Sequence, residues 1–248
     1  MPPSTRRIAI VSDASSYVGP HLCRLLAERD HDLVVGDPTD GLADELQALG
    51  AGVETVTGVR DLSKPGAAER LVEAAQARFG RIDSATAFTG RIVVGRFLRS
   101  SIDDLRAAVT GCLEAPYCFL RAVVPVMVEQ GSGQALVFTS AAGARPTPGA
   151  PLYSSARAGA NMLVRNVAAE VAATGVQVNA IGTNFMDFPE FLRANRAEDA
   201  EGRARVEAQV PMGRLGGLDE LAHFSLPYVD GTSRFATGQF VAFAGGWV

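Results

Sequence analysis

Apolar residues in this chain gather in short, nearly uninterrupted runs, separated by longer stretches in which apolar and polar residues recur at helical spacing. The short runs are Arg7–Val11 (RIAIV), Leu33–Gly36, Val53–Thr57, Ile82–Phe88, Leu136–Thr139, Val176–Ile181 and Gln239–Ala244. Runs of this kind read as strands buried on both faces. Asp83 and Ser84 weaken the fourth. Between them the pattern predicts helices over Gly19–Arg29, Gly41–Leu49 and Lys64–Phe79, and a long helical region over Ser101–Glu129. Pro116 and Pro125 lie inside that last region, so it should bend or break there. A further helix starts near Pro151, residues 187–210 are mixed in charge and helical in part, and Leu218–Val229 is a short helix with Pro227 near its end. Strand and helix alternate throughout, which predicts an α/β fold: one Rossmann-like, doubly wound parallel sheet of seven strands flanked by helices. No repeat, low-complexity stretch or change of composition marks a linker, so residues 1–248 are expected to form a single domain.

One stretch carries a candidate chemistry. Ser140 follows the fifth strand, at the carboxyl end where open α/β sheets place their ligand crevice. Tyr153 and Arg157 are four apart in a helical pattern and share one face. A phenol has an ordinary pKa near ~10, and a cation within ~4–6 Å lowers it by ~1–3 units. Arg157 stays charged at any ordinary pH, so it can favour the phenolate of Tyr153 without competing for its proton. Ser140 can hold a substrate oxygen beside that base. Spacing alone is equally compatible with a surface Tyr–Arg pair near an unrelated serine.

Composition narrows the setting. The chain has 248 residues, 47% of them hydrophobic and 20% charged, enough for a sizeable core. The net charge is −4 with no long basic run, which speaks against nucleic acid or an anionic membrane surface as partner. Cys23, Cys112 and Cys118 are odd in number and form no close pair, so they read as reduced thiols of a cytoplasmic protein. His21, His31 and His223 are scattered, and no metal site is expected. The start MPPSTRR leads straight into the first strand, without the apolar stretch of a signal peptide.

Ser140, a twelve-residue gap and Tyr153-Ser-Ser-Ala-Arg157 resemble the active site of the short-chain dehydrogenase/reductase superfamily, where the pattern is Ser and Tyr-x-x-x-Lys. Arg157 in place of lysine resembles one branch, the halohydrin dehalogenases, which share the fold and use Ser–Tyr–Arg without nicotinamide. The first turn points the same way. A dinucleotide site there needs glycines that let the backbone approach the pyrophosphate at a helix N-terminus. This chain has Ser12-Asp13-Ala14-Ser15-Ser16-Tyr17-Val18-Gly19, in which only the last glycine survives. Asp13 brings negative charge towards the phosphates, and Tyr17 resembles the aromatic residue that fills cofactor space and lines the halide pocket in that branch. Asp37 and Asp61 stand about where a ribose-binding and an adenine-contacting acid would sit. The superfamily's Asn-Asn-Ala-Gly is replaced by Ala87-Phe88-Thr89-Gly90, and its active-site Asn aligns with Cys112.

The resemblance implies a halide nest of backbone N–H groups at Thr183, Asn184, Phe185 and Met186, with Tyr17 as a wall and Asp187 turned away. Phe88, Ile92, Ala142, Leu152 and Phe188 are the expected substrate walls, and the small residues after Ser140 suggest a roomy site. The expectation is therefore a cofactor-independent lyase that closes vicinal haloalcohols to epoxides and opens epoxides with halide, azide, cyanide or nitrite. Its partners would be those small molecules and, by resemblance, further copies of itself in a homotetramer. The alternative is an NAD(P)-dependent short-chain oxidoreductase, for which the fold and Asp37 speak.

Overall fold

A computed structural model describes residues 6–247. Its sheet runs β3 (Val53–Val56), β2 (His31–Gly36), β1 (Arg7–Val11), β4 (Ser84–Phe88), β5 (Gly133–Ser140), β6 (Val176–Thr183) and β7 (Phe240–Phe243), with every neighbouring pair parallel. The strand order reverses between β1 and β4, so the crevice at the carboxyl ends opens there.

Alternation along each strand divides the core in two. Ile10 and Val34 point to one side, where they meet Leu71 of α3 (Ala67–Phe79), Phe119, Val123 and Met127 of α5 (Ala115–Gln130), and Val164 of α6 (Pro151–Val171). Ala9, Val11, Leu33 and Val35 point to the other, against Leu22 and Leu26 of α1 (Gly19–Glu28), Leu46 of α2 (Leu42–Ala48) and Leu221 of α9 (Leu218–Ser225). Each face of the sheet is thereby removed from water, the condition under which parallel strands are stable.

Two local expectations are corrected. The fourth strand begins at Ser84, not Ile82, because the carboxylate of Asp83 accepts from the Ile8 N–H at 2.8 Å and pairs with Arg81. The long helical region neither breaks at Pro116 nor stops at Pro125. It runs from α4 (Ile102–Val109) through a π-turn, Thr110–Glu114, into α5. Pro116 has no N–H to give the fourth carbonyl back, and the Ala115 N–H bonds instead to the Thr110 carbonyl five residues earlier. By length and composition Ile102–Gln130 could cross a membrane, but its apolar side is built into the sheet's core.

Residues 187–210 do fold in part as helix, as α7 (Pro189–Ala194) and α8 (Ala200–Glu207). They cap the carboxyl edge of the sheet through a satellite core of Phe185, Ala197, Val206, Val210 and Leu215, on which Trp247 packs. Arg203 ties this cap to Asp187 and Glu207.

Candidate active site

The sheet register sets Ser140, the last residue of β5, beside Thr183, the last of β6. The Ser140 hydroxyl donates to the Thr183 carbonyl at 3.3 Å and accepts from the Ala142 N–H at 3.1 Å. The turn after it, Ala141–Ala144, lies against α6: a Cβ on Gly143 would come within 2.7 Å of the Arg157 backbone and the Asn161 side chain. Ser140 is thus carried to the helix that bears Tyr153.

Tyr153 sits in the first turn of α6, packed among Ala108, Cys112, Ala156, Val93 and Leu152. Its hydroxyl has no hydrogen-bond partner among the described residues. Arg157 is 4% exposed, and its Cζ lies 5.2 Å from the centre of the Tyr153 ring, a cation–π contact. The guanidinium donates to the Thr89 carbonyl at 2.5 Å and to Thr89 Oγ1 at 3.2 Å. Gly90 makes room for it, since a Cβ there would stand 1.8 Å from Nη2 at a φ of +136°. Thr89 and Gly90 enter the sequence pattern only as replacements in the Asn-Asn-Ala-Gly stretch, not as partners of Arg157, although a Gly just after a strand is a signal of close approach.

Tyr17 stands in the β1–α1 turn with φ 53°, a left-handed conformation uncommon for a residue with a side chain. Its hydroxyl donates to Thr183 Oγ1 at 2.9 Å, and its ring meets Phe188 at 4.9 Å and Phe88 at 6.5 Å. Burial pushes its phenol well above the ordinary value, opposed by the bond to Thr183. The ring therefore spans from the first turn to the end of β6.

On the other side of that ring a cleft of about 720 Å³ opens over the ends of β1 to β4, lined among others by Asp13, Ser15, Arg60, Leu62, Lys64 and Arg91. Asp13 does not face it as a free charge. Its carboxylate accepts from the Ser15 N–H and hydroxyl and pairs with Arg60 at 3.0 Å, while Arg60 also donates to Ser16 Oγ at 2.9 Å. Asp37 accepts from the backbone N–H groups of Gly58, Val59 and Arg60 at 2.5–2.8 Å, which fixes the β3–α3 loop. Asp61 accepts from the N–H and hydroxyl of Ser63. Cys112 lies in the π-turn with its thiol towards the Arg91 carbonyl at 3.4 Å.

The expected halide nest is corrected. The Asn184 N–H donates to the Phe243 carbonyl, and the Phe185 N–H to the Asn184 side chain. The Asp187 and Phe188 N–H groups donate to the carbonyls of Gly216 and Met186. Asn184 and Phe185, two of the four expected nest donors, are thus spent on the protein and cannot converge on an anion. The side chain of Phe185 packs on Trp247 and Phe191, away from Ser140, and Met186 is core. Thr183 belongs to the site through its bonds to Ser140 and Tyr17. Of the expected walls, Phe88 and Phe188 flank Tyr17, Leu152 packs beside Tyr153 and Ala142 touches Ser140, whereas Ile92 is 69% exposed.

Sheet order, switch-point crevice and Ser–Tyr pair define a protein of the short-chain dehydrogenase/reductase fold. Residues 14–248 match the family described as enoyl-(acyl carrier protein) reductase, and the chain belongs to this short-chain dehydrogenase/reductase family. It is 30% identical to a cis-4-hydroxycyclohexanecarboxylate dehydrogenase of Sinomonas cyclohexanicum, over 97% of this chain and 96% of that protein. It is 26% identical to the 3-oxoacyl-(acyl-carrier-protein) reductase FabG of Thermotoga maritima, over 98% of both. A solved structure of acetoin dehydrogenase from Enterobacter cloacae superposes with a TM-score of 0.84 at 27% identity, covering 98% of this chain and 96% of that one. These full-length likenesses to dehydrogenases and reductases overturn the dehalogenase expectation, and with it the lyase chemistry and the independence from a cofactor.

The family implies a nicotinamide dinucleotide, and the residues fit its two halves differently. The adenosine half suits the open cleft, where Leu62 offers an apolar contact and Lys64, with Arg60 beyond its pairing to Asp13, offers positive charge to a phosphate. Gly19 keeps the first turn tight, since a Cβ there would lie 2.0 Å from the Asp13 carbonyl. Towards Ser140 and Tyr153 the Tyr17 ring, bonded to Thr183, takes up the space at the carboxyl end of β6, and a nicotinamide there would require that side chain to turn away.

Proposed function

We propose that this chain is an NAD(P)-dependent oxidoreductase that interconverts a secondary alcohol and the matching ketone. The observation that carries the reading is the Tyr153 hydroxyl, left without a hydrogen-bond partner among the described residues, on the helix against which the turn after Ser140 packs. Whole-length likeness to alcohol dehydrogenases and ketone reductases supports it. The substrate oxygen lies between Ser140 and Tyr153. Ser140 gives up its long bond to the Thr183 carbonyl and donates to that oxygen, fixing its position. Tyr153 removes the hydroxyl proton in the oxidation and returns it in the reduction. Arg157, held by Thr89, packs over the Tyr153 ring face and fixes where the phenol stands. Bound nicotinamide supplies or accepts the hydride.

The small residues after Ser140 and the ring of the cyclohexanecarboxylate-oxidising relative favour a cyclic substrate. The test follows reduced nicotinamide by absorbance with NAD⁺ or NADP⁺ and a panel of cyclic secondary alcohols. Turnover that disappears in Tyr153→Phe, with an unchanged melting curve, supports the assignment. A panel left untouched with either cofactor, by protein that binds neither, would sink it.

A further inference from the structure

Residues 91–99 form a protruding lip beside the catalytic helix. Its root is fixed: Val93 packs with Leu152 and Tyr153, and the Gly95 N–H donates to the Gly149 carbonyl at 2.6 Å. Its outer surface is apolar and cationic at once. Ile92, Val94 and Phe97 are 67–74% exposed, and Arg91, Arg96 and Arg99 alternate with them in sequence. None of these three arginines has a carboxylate partner among the described residues.

The surroundings leave the charge uncompensated. No Asp or Glu occurs from Ser84 to Ile102, nor from Gln130 to Ala169, the two segments that flank Tyr153. Arg145, in the second of them, stacks on Trp247 at 4.5 Å. The nearest acids are engaged elsewhere. Asp103 pairs with Arg106, Asp104 caps α4, Asp187 pairs with Arg203 and Glu190 with Arg193. In a chain of net charge −4, the lip and the segments that flank Tyr153 are thus basic, and the acids of the cleft that Arg91 also lines, Asp13, Asp37 and Asp61, are held by Arg60, by backbone N–H groups and by Ser63. Such a field concentrates anions and guides them in, while the exposed side chains between the arginines give the rest of the molecule an apolar bed.

We propose that the substrate is an anionic amphiphile: a carboxylate joined through a ring or short apolar chain to the reacting carbon. Arg96 and Arg99 hold its anion, and Arg91, which also lines the adjoining cleft, adds to the field. This rests on the oxidoreductase reading for the reaction, but the recognition is separable from it.

Calorimetric titration with cyclohexanecarboxylate and with its methyl ester, neither of which carries a reacting hydroxyl, tests the recognition. The acid should bind about tenfold more tightly than the ester, with a preference that shrinks as salt is raised. In Arg96→Gln/Arg99→Gln that preference should collapse and in Arg91→Gln it should weaken, while exposed Arg165→Gln serves as a control that retains it. Equal binding of acid and ester, or a preference untouched by both lip variants, overturns the proposal. Variants that change the oligomeric mass but keep the preference also overturn it and assign the lip to a second copy. Turnover of cis-4-hydroxycyclohexanecarboxylate against its methyl ester separates the two readings. Selective binding of the acid without turnover of either compound leaves the anion site standing and removes the oxidoreductase reading.

Discussion

Tyr17 offers the sharpest test of how a dinucleotide enters this site. On the oxidoreductase reading a nicotinamide ring that reaches Tyr153 would replace the Tyr17 ring, and cofactor affinity would be reduced by the free energy of turning that side chain out. One neutral hydrogen bond, to Thr183 at 2.9 Å, contributes about 1 kcal/mol. The ring contacts with Phe188 at 4.9 Å and Phe88 at 6.5 Å contribute roughly 0.5–1 kcal/mol each. Release of left-handed backbone strain returns part of this. The balance is about 2 kcal/mol, so only a few per cent of molecules are open and the apparent Kd is raised about 30-fold. Tyr17→Phe, which loses the hydrogen bond alone, should tighten NADPH or NADH binding about fivefold. Tyr17→Ala should tighten it about 30-fold. Fluorescence titration of the reduced cofactor reads both directly, and ADP, which lacks the nicotinamide, should bind all three proteins alike. If neither variant gains affinity for the reduced dinucleotide, the ring is not what the cofactor displaces.

Three further outcomes follow from particular contacts. Gly90→Ala puts a methyl group where the Arg157 guanidinium lies and strains a φ of +136°, so stability should fall by about 1–3 kcal/mol and kcat at least tenfold, measured by thermal melting and steady-state rates. Glu220 is held at a pKa of about 2, against an ordinary 4.5, by Arg214 and by the Gly217 N–H. A depressed carboxylate contributes above its unfolded pKa, and its contribution disappears as pH falls from about 4.5 towards 2. Because the pair is exposed, Glu220→Gln should cost no more than about 1 kcal/mol at neutral pH and nothing near pH 2, by urea unfolding at each. The apolar residues Ile102, Leu105, Tyr117 and Met162 are exposed on α4, α5 and α6, and we infer that they meet further copies in a tetramer. Leu105→Asp with Met162→Asp should then shift the mass in sedimentation to that of a smaller species; an unchanged mass removes the inference.

The sheet was legible because parallel strands buried on both faces leave apolar runs with no competing explanation. The π-turn was not, because Pro116 announces only that a hydrogen bond is missing. Whether the chain kinks, breaks or shifts its ladder by one residue depends on what it packs against, here Arg91 behind Gly111. The Ser–Tyr–Arg set was equally plain, since its spacing is local to one strand and one helix. Its environment was not: Arg157 is fixed by Thr89, 68 residues away in sequence.

The loop at 183–188 shows why motif likeness misjudged the anion seat. A nest is a statement about which N–H groups are free, and freedom is settled by partners distant in the chain. Asn184 gives its own to Phe243, a residue no local pattern connects to this loop. Asp13 and Asp37 follow the same logic in reverse. As sequence they are charges, one adverse to phosphate and one favourable to ribose. Folded, Asp13 is matched by Arg60, and Asp37 is saturated by three backbone N–H groups, so neither acts on a ligand as an isolated carboxylate. The adenosine cleft is therefore more hospitable to phosphates than Asp13 suggests and less dependent on Asp37 than its position suggests. Asp37→Asn should accordingly loosen the β3–α3 loop, seen as faster amide exchange at Gly58–Arg60, more than it alters the choice between NADH and NADPH. A switch of cofactor preference with unchanged exchange would show that the carboxylate reads the ribose after all.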